Sequence, residues 1–362
     1  MTTNPLIMVV GATGNTGSGL VPTLLAAGAR VRALVHTPAK GEALRRQGAE
    51  VVLADLGKPD SLTAAVAGVD RIYLCLFNGP EQANHGRNLI AAARRSGRPH
   101  IVYHAASGSD RSRIIRHIIE VESDLRASGL PWTIIRPTFY LQNTMMAIPT
   151  VRSQGAIYLP MKQGRMAMTD VRDIVDVAAR LLLDGGHEGK TYTLTTPEAF
   201  TIDEFATALG AELGKPVHYV DVPIAAARES MVGMGMDPWI VDGYMELFEG
   251  FADNWGDKTS ADVQKLLGRP ARGLREFVAD FKGAFVGTVA AGGPRWRSRS
   301  SSSASTWVSC SSIAAATRSA SARSSRSPLR PRCCWPSARW CSARNSRPQT
   351  RPAWCCASSD CG

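Results

Sequence analysis

Long apolar runs are missing from this sequence. No stretch approaches the ~18 apolar residues that a membrane-crossing helix needs. The N-terminus lacks the charged-then-apolar order of a secretory leader. Both absences point to a soluble chain of the cytoplasm. Cysteine is scarce wherever the sequence has a regular pattern. Seven of the eight lie between 310 and 361, and Cys75 is the one that remains. A lone cysteine in an apolar setting suits a reducing compartment and excludes a disulfide framework. No metal-ligand cluster, nucleophile elbow or phosphate-loop lysine motif occurs, so no metal is expected.

Negative charge is nearly missing from the final segment. Residues 291–362 contain 12 arginines, no lysine and one acid, Asp360. They carry the whole net charge of +11, because the remainder has 30 basic and 30 acidic residues. The basic balance therefore gives no reason to expect nucleic acid or membrane at the rest of the chain. The same segment has no Glu, Phe or Tyr and a single isoleucine, Ile313. Serine and arginine dominate, as in RSRSSSSAS and RSASARSSRS, with no helical or strand period. Three readings compete: a basic arm for nucleic acid, a metal or disulfide module, and out-of-frame translation of GC-rich DNA past the natural stop. Cys333, Cys334, Cys341, Cys355, Cys356 and Cys361 lack CxxC pairs and nearby histidines, which weakens the second. A composition break with no new structural pattern favours the third. Residues 288–362 are expected to be a disordered tail that folding does not need.

What precedes the tail is alternation. Apolar runs at 6–10, 30–35, 50–53, 71–76, 100–104 and 132–135 read as strands. Helical patterns separate them at 15–27, 39–47, 61–67, 81–96 and 111–128. This rhythm implies a parallel sheet covered on both faces. After Pro137 it loosens. A helix at 170–183, a strand at 190–195 and a strand at 217–222 follow, with further helices to Phe285. Thr201 and Glu204 form a capping box that opens a helix to Leu213. The expected fold is an α/β doubly wound parallel (Rossmann) sheet over 1–155, completed by 190–196. A smaller α+β lobe at 156–287 caps its carboxyl edge.

The most informative stretch is GATGNTG at 11–17, directly after the first strand and opening a helix. Gly11 permits a tight turn, Gly14 lets backbone approach a pyrophosphate, and Gly17 lets helix and strand pack closely. Thr13 lies within the turn. Asn15 and Thr16 would offer free N–H groups and the positive end of the helix dipole to phosphates. The second strand ends at His36 and Thr37, with Lys40 just beyond. No carboxylate stands there to accept bonds from ribose hydroxyls, and a 2′-phosphate would be tolerated. NADP(H) is therefore favoured over NAD(H).

GATGNTG, ADL at 54–56, GVDRIYL at 68–74, SGLPWTIIRPTFYLQN at 128–143, TDVRDIVDVA at 169–178 and LLGRPARGLREFV at 266–278 together resemble the NmrA-like family. This is a branch of the atypical short-chain dehydrogenases/reductases. The resemblance covers about residues 6–285. It implies contacts from Asp55 and Leu56 near the adenine. It places Leu76, Phe77, Asn78, Ala105, Ala106 and Ser107 near the nicotinamide ribose, and Pro137, Thr138, Phe139 and Tyr140 near the nicotinamide. The family includes NADPH-dependent quinone and dye reductases. It also includes redox-sensing regulators that hold the nucleotide without turnover and act through a protein partner.

Ordinary short-chain dehydrogenases carry Tyr-x-x-x-Lys on the helix after strand five. Here 111–128 contains neither residue. The one match, Tyr158 to Lys162, contains Pro160 and lies beyond strand six, so it cannot place both side chains on one helix face. Strand five ends His104-Ala105-Ala106, leaving Ser107 as the nearest hydroxyl. His117 and Glu122 are five apart and do not share a helix face cleanly. Tyr140 and Ser107 are the remaining catalytic candidates. Trp239, Tyr244 and Phe248 recur at helical spacing and would suit a flat hydrophobic ligand. The expected function is NADPH-dependent reduction of a quinone-like or other conjugated acceptor without the dyad. The alternative is a non-catalytic nucleotide sensor.

Overall fold

The computed structural model describes residues 4–287, and the tail expected at 288–362 lies outside them. β1 (Leu6–Val10) is the apolar run LIMVV, buried along its whole length. It is an interior strand of a seven-stranded, all-parallel sheet. The partners are β2 (Arg30–Val35), β3 (Glu50–Leu53), β4 (Arg71–Cys75), β5 (His100–His104), β6 (Trp132–Pro137) and β8 (Lys190–Leu194), in the order β3-β2-β1-β4-β5-β6-β8. Registers such as Val10↔Leu34, Val10↔Leu74 and Cys75↔His104 bring the strand ends level.

Strand alternation sends side chains to two cores. Leu6, Met8 and Val10 face one side, where α3 (Pro59–Val66), α4 (Gln82–Arg95) and α5 (Arg113–Ala127) contribute Leu62, Leu89 and Val121. Ile7 and Val9 face the other, where α1 (Gly17–Ala26), α2 (Pro38–Arg46) and α7 (Val171–Leu183) contribute Leu24, Leu44 and Leu181. Leu20 and Leu24 of α1 are fully buried, and each such side chain stabilises by about 1.5–3 kcal/mol. Pro and Gly set the limits: Pro38 and Pro59 open α2 and α3, while Gly28 and Gly48 take positive φ just after α1 and α2.

Three elements were not expected. A 3₁₀ helix at Leu141–Ala147 and α6 (Ile148–Gln154) fill the stretch where the apolar period fades. β7 (Ala156–Leu159) is a strand where a strand end and turn was read, because its partner β9 (His218–Asp221) is distant in sequence. Strand six also runs two residues further than expected, to Pro137. The remaining helices are α8 (Ile202–Leu213), α9 (Ile224–Gly233), α10 (Pro238–Ala252), α11 (Asp262–Leu267) and α12 (Leu274–Val286). α8 opens with the reciprocal Thr201–Glu204 capping box.

Two junctions position this later part of the chain. Gly243 of α10 lies so close to α5 that a Cβ there would meet Ile114 Cγ1 at 2.7 Å. Beside it, Arg113 binds Glu246 and Asp242. The second junction is Asp173 of α7. It is 1% exposed and accepts bonds from the Arg272 N–H, the Arg272 guanidinium and the Arg269 guanidinium. Among the described residues, no helix is long and apolar enough to cross a membrane.

Candidate functional site

Parallel strands end at one edge, so every sequence-derived site residue falls on the carboxyl side of the sheet. The 11–17 turn follows β1, and His36, Thr37 and Lys40 follow β2. Asp55 and Leu56 follow β3, and Leu76, Phe77 and Asn78 follow β4. Ala105, Ala106 and Ser107 follow β5, and Pro137 to Tyr140 close β6.

The glycine turn is tight for steric reasons. Gly11 has φ +79, and a Cβ on it would meet the Cys75 carbonyl oxygen at 2.8 Å. A Cβ on Gly17 would lie 2.2 Å from the Gly11 carbonyl oxygen, closer than atoms can approach. The Gly14 N–H closes the turn onto that oxygen at 2.9 Å. Thr13 and Gly14 are exposed. Thr16, at the cap of α1, makes no side-chain capping bond. Among the described residues, the Asn15 and Thr16 N–H groups have no acceptor. Open N–H groups at a helix start, beside an exposed glycine, form a cradle that fits a pyrophosphate. The Thr16 hydroxyl does not join it. Its side chain turns into the sheet and is 3% exposed.

The end of β2 differs from its sequence reading in one respect. A carboxylate is present after all, supplied by the neighbouring strand. Asp55 Oδ2 stands 3.6 Å from His36 Nε2 and 4.0 Å from Lys58 Nζ. The Gly57 N–H donates to Asp55 Oδ1 and is the main reason its carboxyl titrates below the usual range. His36 and Lys40 are exposed.

Several candidates after β5 and β6 are committed inside the fold. The Ala105 and Ser107 N–H groups donate to the carbonyls of Ile135 and Pro137, extending the ladder. The Thr138 N–H donates to Thr169 Oγ1, and its hydroxyl donates to the Ala167 carbonyl. Phe139 packs edge-on against Phe248 and Phe251 of α10. Tyr244 stacks with Phe248. Burial pushes the Tyr244 hydroxyl's pKa up, and the Asn78 side chain partly offsets this. Trp239 meets His117 edge-on at 5.3 Å. Phe77 projects outward, 75% exposed. The edge thus has an aromatic wall to one side and a lone exposed ring beyond β4.

Beneath the edge runs a buried polar chain that the sequence reading missed. Thr16 Oγ1 is 3.0 Å from the Tyr73 hydroxyl and 3.9 Å from Cys75 Sγ. Tyr73 is hydrogen-bonded to His104 Nδ1. His104 Nε2 is 2.8 Å from the Tyr140 hydroxyl. Burial pushes the Tyr73 and Tyr140 phenols well above their ordinary range and the Cys75 thiol up to about 11. It pushes His104 down to about 4, so the imidazole is neutral at pH 7. The signal was available: HIVYH puts histidines and a tyrosine in a central strand, and buried polar groups there need partners.

The His104 shift has a consequence for stability. Between pH ~6.5 and ~4 the unfolded chain takes up a proton at this histidine and the folded chain does not. Stability from this group is full above about 6.5 and lost as pH falls toward 4, by about 3 kcal/mol. His104→Gln should flatten that part of a urea-midpoint-versus-pH curve. An unchanged slope would show that His104 is not its source.

α5 carries no tyrosine or lysine. Its Glu122 is 4% exposed and forms a two-pronged pair with Arg136 of β6, which is a structural role. Tyr158 sits in β7 and donates to Gln154, while Lys162 lies beyond the strand with φ +46. Among the described residues, no group of side chains could hold a metal.

Comparisons with known proteins agree with this geometry. The chain is 35% identical over 283 residues to an NAD(P)H azoreductase of Xenophilus azovorans, covering 77% of this chain and 99% of the relative. Its structure superimposes on an NADPH-dependent quinone oxidoreductase of Escherichia coli complexed with NADPH, with TM-score 0.70 and 29% identity, covering 76% and 98% of the two chains. A Citrobacter triphenylmethane reductase complexed with NADP(H) matches with TM-score 0.68 and 26% identity, covering 75% and 99%. Residues 3–277 match the family model described as NmrA-like. By fold, motif and sequence, this chain belongs to the NmrA-like family.

Proposed function

We propose that the chain is an NADPH-dependent reductase of flat, conjugated acceptors such as quinones or dyes, working without a tyrosine–lysine dyad. The observation that carries the reading is the 11–17 turn. Gly17 admits no side chain, two N–H groups are open, and the turn lies on the carboxyl edge of the sheet between the ends of β2 and β4. The relatives named above are reductases of conjugated molecules. No observation favours the sensor alternative.

Bound NADPH would supply a hydride at its nicotinamide. The residues of this chain do the rest. Asn15 and Thr16 hold the pyrophosphate through backbone N–H groups, and Gly14, without a side chain, lets it approach the turn. Thr13 flanks it. Asp55 and Leu56 border the adenine. Leu76, Phe77, Asn78 and the 105–107 segment border the nicotinamide ribose. Pro137, Thr138 and Phe139 support the ring from below through their internal bonds rather than through free polar groups. Phe77, Tyr140 and the Tyr244–Phe248 stack wall the space for a planar acceptor and exclude water. Orientation of donor against acceptor supplies much of the rate in such a site.

His36 and Lys40 set the preference for NADPH. Asp55 weakens it less than a lone acid would, because Gly57 and Lys58 already engage that carboxylate. NADPH should bind at least several-fold more tightly than NADH in a fluorescence titration. His36→Asp should reverse the order by placing a second carboxylate against the 2′-phosphate. Equal affinities in the unmodified protein would reject the assignment. Tight NADPH binding with no oxidation across a panel of quinones and dyes would reject the reductase itself.

A further inference from the structure

The end of β2 gathers charges of two kinds, fixed and titratable. In a dinucleotide-binding sheet, the side chain at this position reads the 2′ oxygen of the adenine ribose. Here it is His36, followed by Thr37 and Lys40, with no arginine among residues 36–40. The charged and titratable groups around it are Lys40 of α2, Asp55 and Lys58 between β3 and α3, and His85 of α4.

Asp55 is a fixed negative charge. The Gly57 N–H donates to its Oδ1 at 2.9 Å, which pins the carboxylate and lowers its pKa; His36, Lys58 and His85 add to the effect. A Cβ on Gly57 would stand 3.3 Å from Asp55 Oδ1 and 3.6 Å from His85 Nε2, so His85 flanks the pinned oxygen. The other oxygen, Oδ2, is 3.6 Å from His36 Nε2 and 4.0 Å from Lys58 Nζ. At that distance Asp55 holds His36 through charge and not through a hydrogen bond. The His36 side chain is 69% exposed, so a ligand anion can compete for it. Lysine ammonium groups keep their charge through neutral pH, and an imidazole does not.

We infer, on the NADPH-binding reading above, that His36 makes the choice between NADPH and NADH proton-dependent: charged, it pairs with the 2′-phosphate in place of Asp55, and neutral, it leaves Asp55 to repel that phosphate.

The sign follows from linkage. A charged imidazole that gains a dianionic partner holds its proton more tightly, so NADPH binding takes up protons. That share of the affinity is present at low pH and lost as pH rises. NADH presents only a hydroxyl there and gains little from the charge. A phosphate monoester loses its second proton near pH 6, so above about 6.5 the 2′-phosphate is mainly a dianion and its own titration works in the opposite direction, toward proton release. Net uptake therefore belongs to the protein. An arginine in the same place would bind the phosphate at every pH.

The test uses the full-length protein, with NADPH and NADH titrated by fluorescence from about pH 6.5 to about 8.5 at constant ionic strength. The ratio of the NADH to the NADPH dissociation constant should fall roughly ten-fold across that range, within the ceiling of about ten-fold per pH unit that one proton allows. His36→Arg should hold the ratio high and flat, and His36→Gln should hold it low and flat. Asp55→Asn should raise the ratio several-fold at each pH and keep the slope. Calorimetry near pH 7.5 in two buffers of different ionisation enthalpy should show uptake of a fraction of a proton with NADPH and none with NADH. His36→Gln should abolish that uptake. A ratio that does not change with pH, equal uptake with both nucleotides, or uptake that survives His36→Gln and disappears in His85→Gln would overturn the inference while leaving the NADPH preference in place. A ratio near one at every pH would remove both.

Discussion

Gly17→Ala should abolish nucleotide binding and lower the thermal midpoint by more than any single surface change. The added methyl carbon would sit 2.2 Å from the Gly11 carbonyl oxygen and 2.7 Å from the Ala12 Cα. Both are backbone atoms of a turn anchored by β1, so neither can swing aside as a side chain can. Relief requires the start of α1 to move off the strand. That withdraws Leu20 and Leu24 from the core and opens the phosphate cradle. A cost above about 3 kcal/mol is expected from forced overpacking of this kind. Gly14→Ala is the informative contrast. Its Cβ would stand 3.2 Å from the same oxygen, a contact that a small shift relieves. It should spare most of the stability while weakening NADPH, since on the proposed reading the new methyl would stand where the phosphate approaches. Differential scanning fluorimetry with and without NADPH separates the two effects. A Gly17→Ala protein melting within about 2 °C of its parent would show that the turn is not the rigid element described.

Asp173→Ala should be the most damaging change away from the edge. Its carboxylate is 1% exposed and ties the loop after α11 to the first turn of α7 through Arg269, Arg272 and the Arg272 backbone N–H. Removing it strands two guanidiniums beside each other and leaves a backbone donor without its partner. Breaking a fully buried pair costs about 3–5 kcal/mol. The arginines retain some access to water and Asp176 remains nearby, so about 2–3 kcal/mol is expected. Asp176→Ala removes a half-exposed partner of the same two arginines and should cost under about 1 kcal/mol. Urea unfolding of both variants gives the comparison. Equal losses would mean that burial of Asp173 does not set its weight.

The sheet was legible in the sequence to an unusual degree. β1, β2, β3 and β5 begin and end at the residues expected, because each apolar run is bounded by polar or turn-forming residues. The stretch 141–159 was not legible. Its 3₁₀ helix is satisfied by local carbonyls and by Thr169, and β7 exists because β9 pairs with it. The Thr169 carbonyl and β9 both lie outside the segment. The site divides along the same line. The glycine turn is a local object and can be read from seven letters. The carboxylate against His36 cannot, because it comes from the end of another strand. His104 cannot be read locally either. Its role depends on the register that sets it beside Cys75 and on Tyr73 two residues before that cysteine.

The strand order carries a consequence for how the protein is made. Of the strands of this sheet β1 is made first, yet it lies inside the sheet, with β2 on one side and β4 on the other. The nascent sheet must grow outward in both directions from it, and its β4-side edge stays open until β4 is made. Domains emerge at roughly 5–20 residues per second. The glycine turn, though complete once Gly17 is made, faces no finished edge until β6 has docked. A nucleotide that stabilises only the finished edge can assist folding late and not early. Cellular NADPH would then act as a final lock on newly made chains rather than as a template for them.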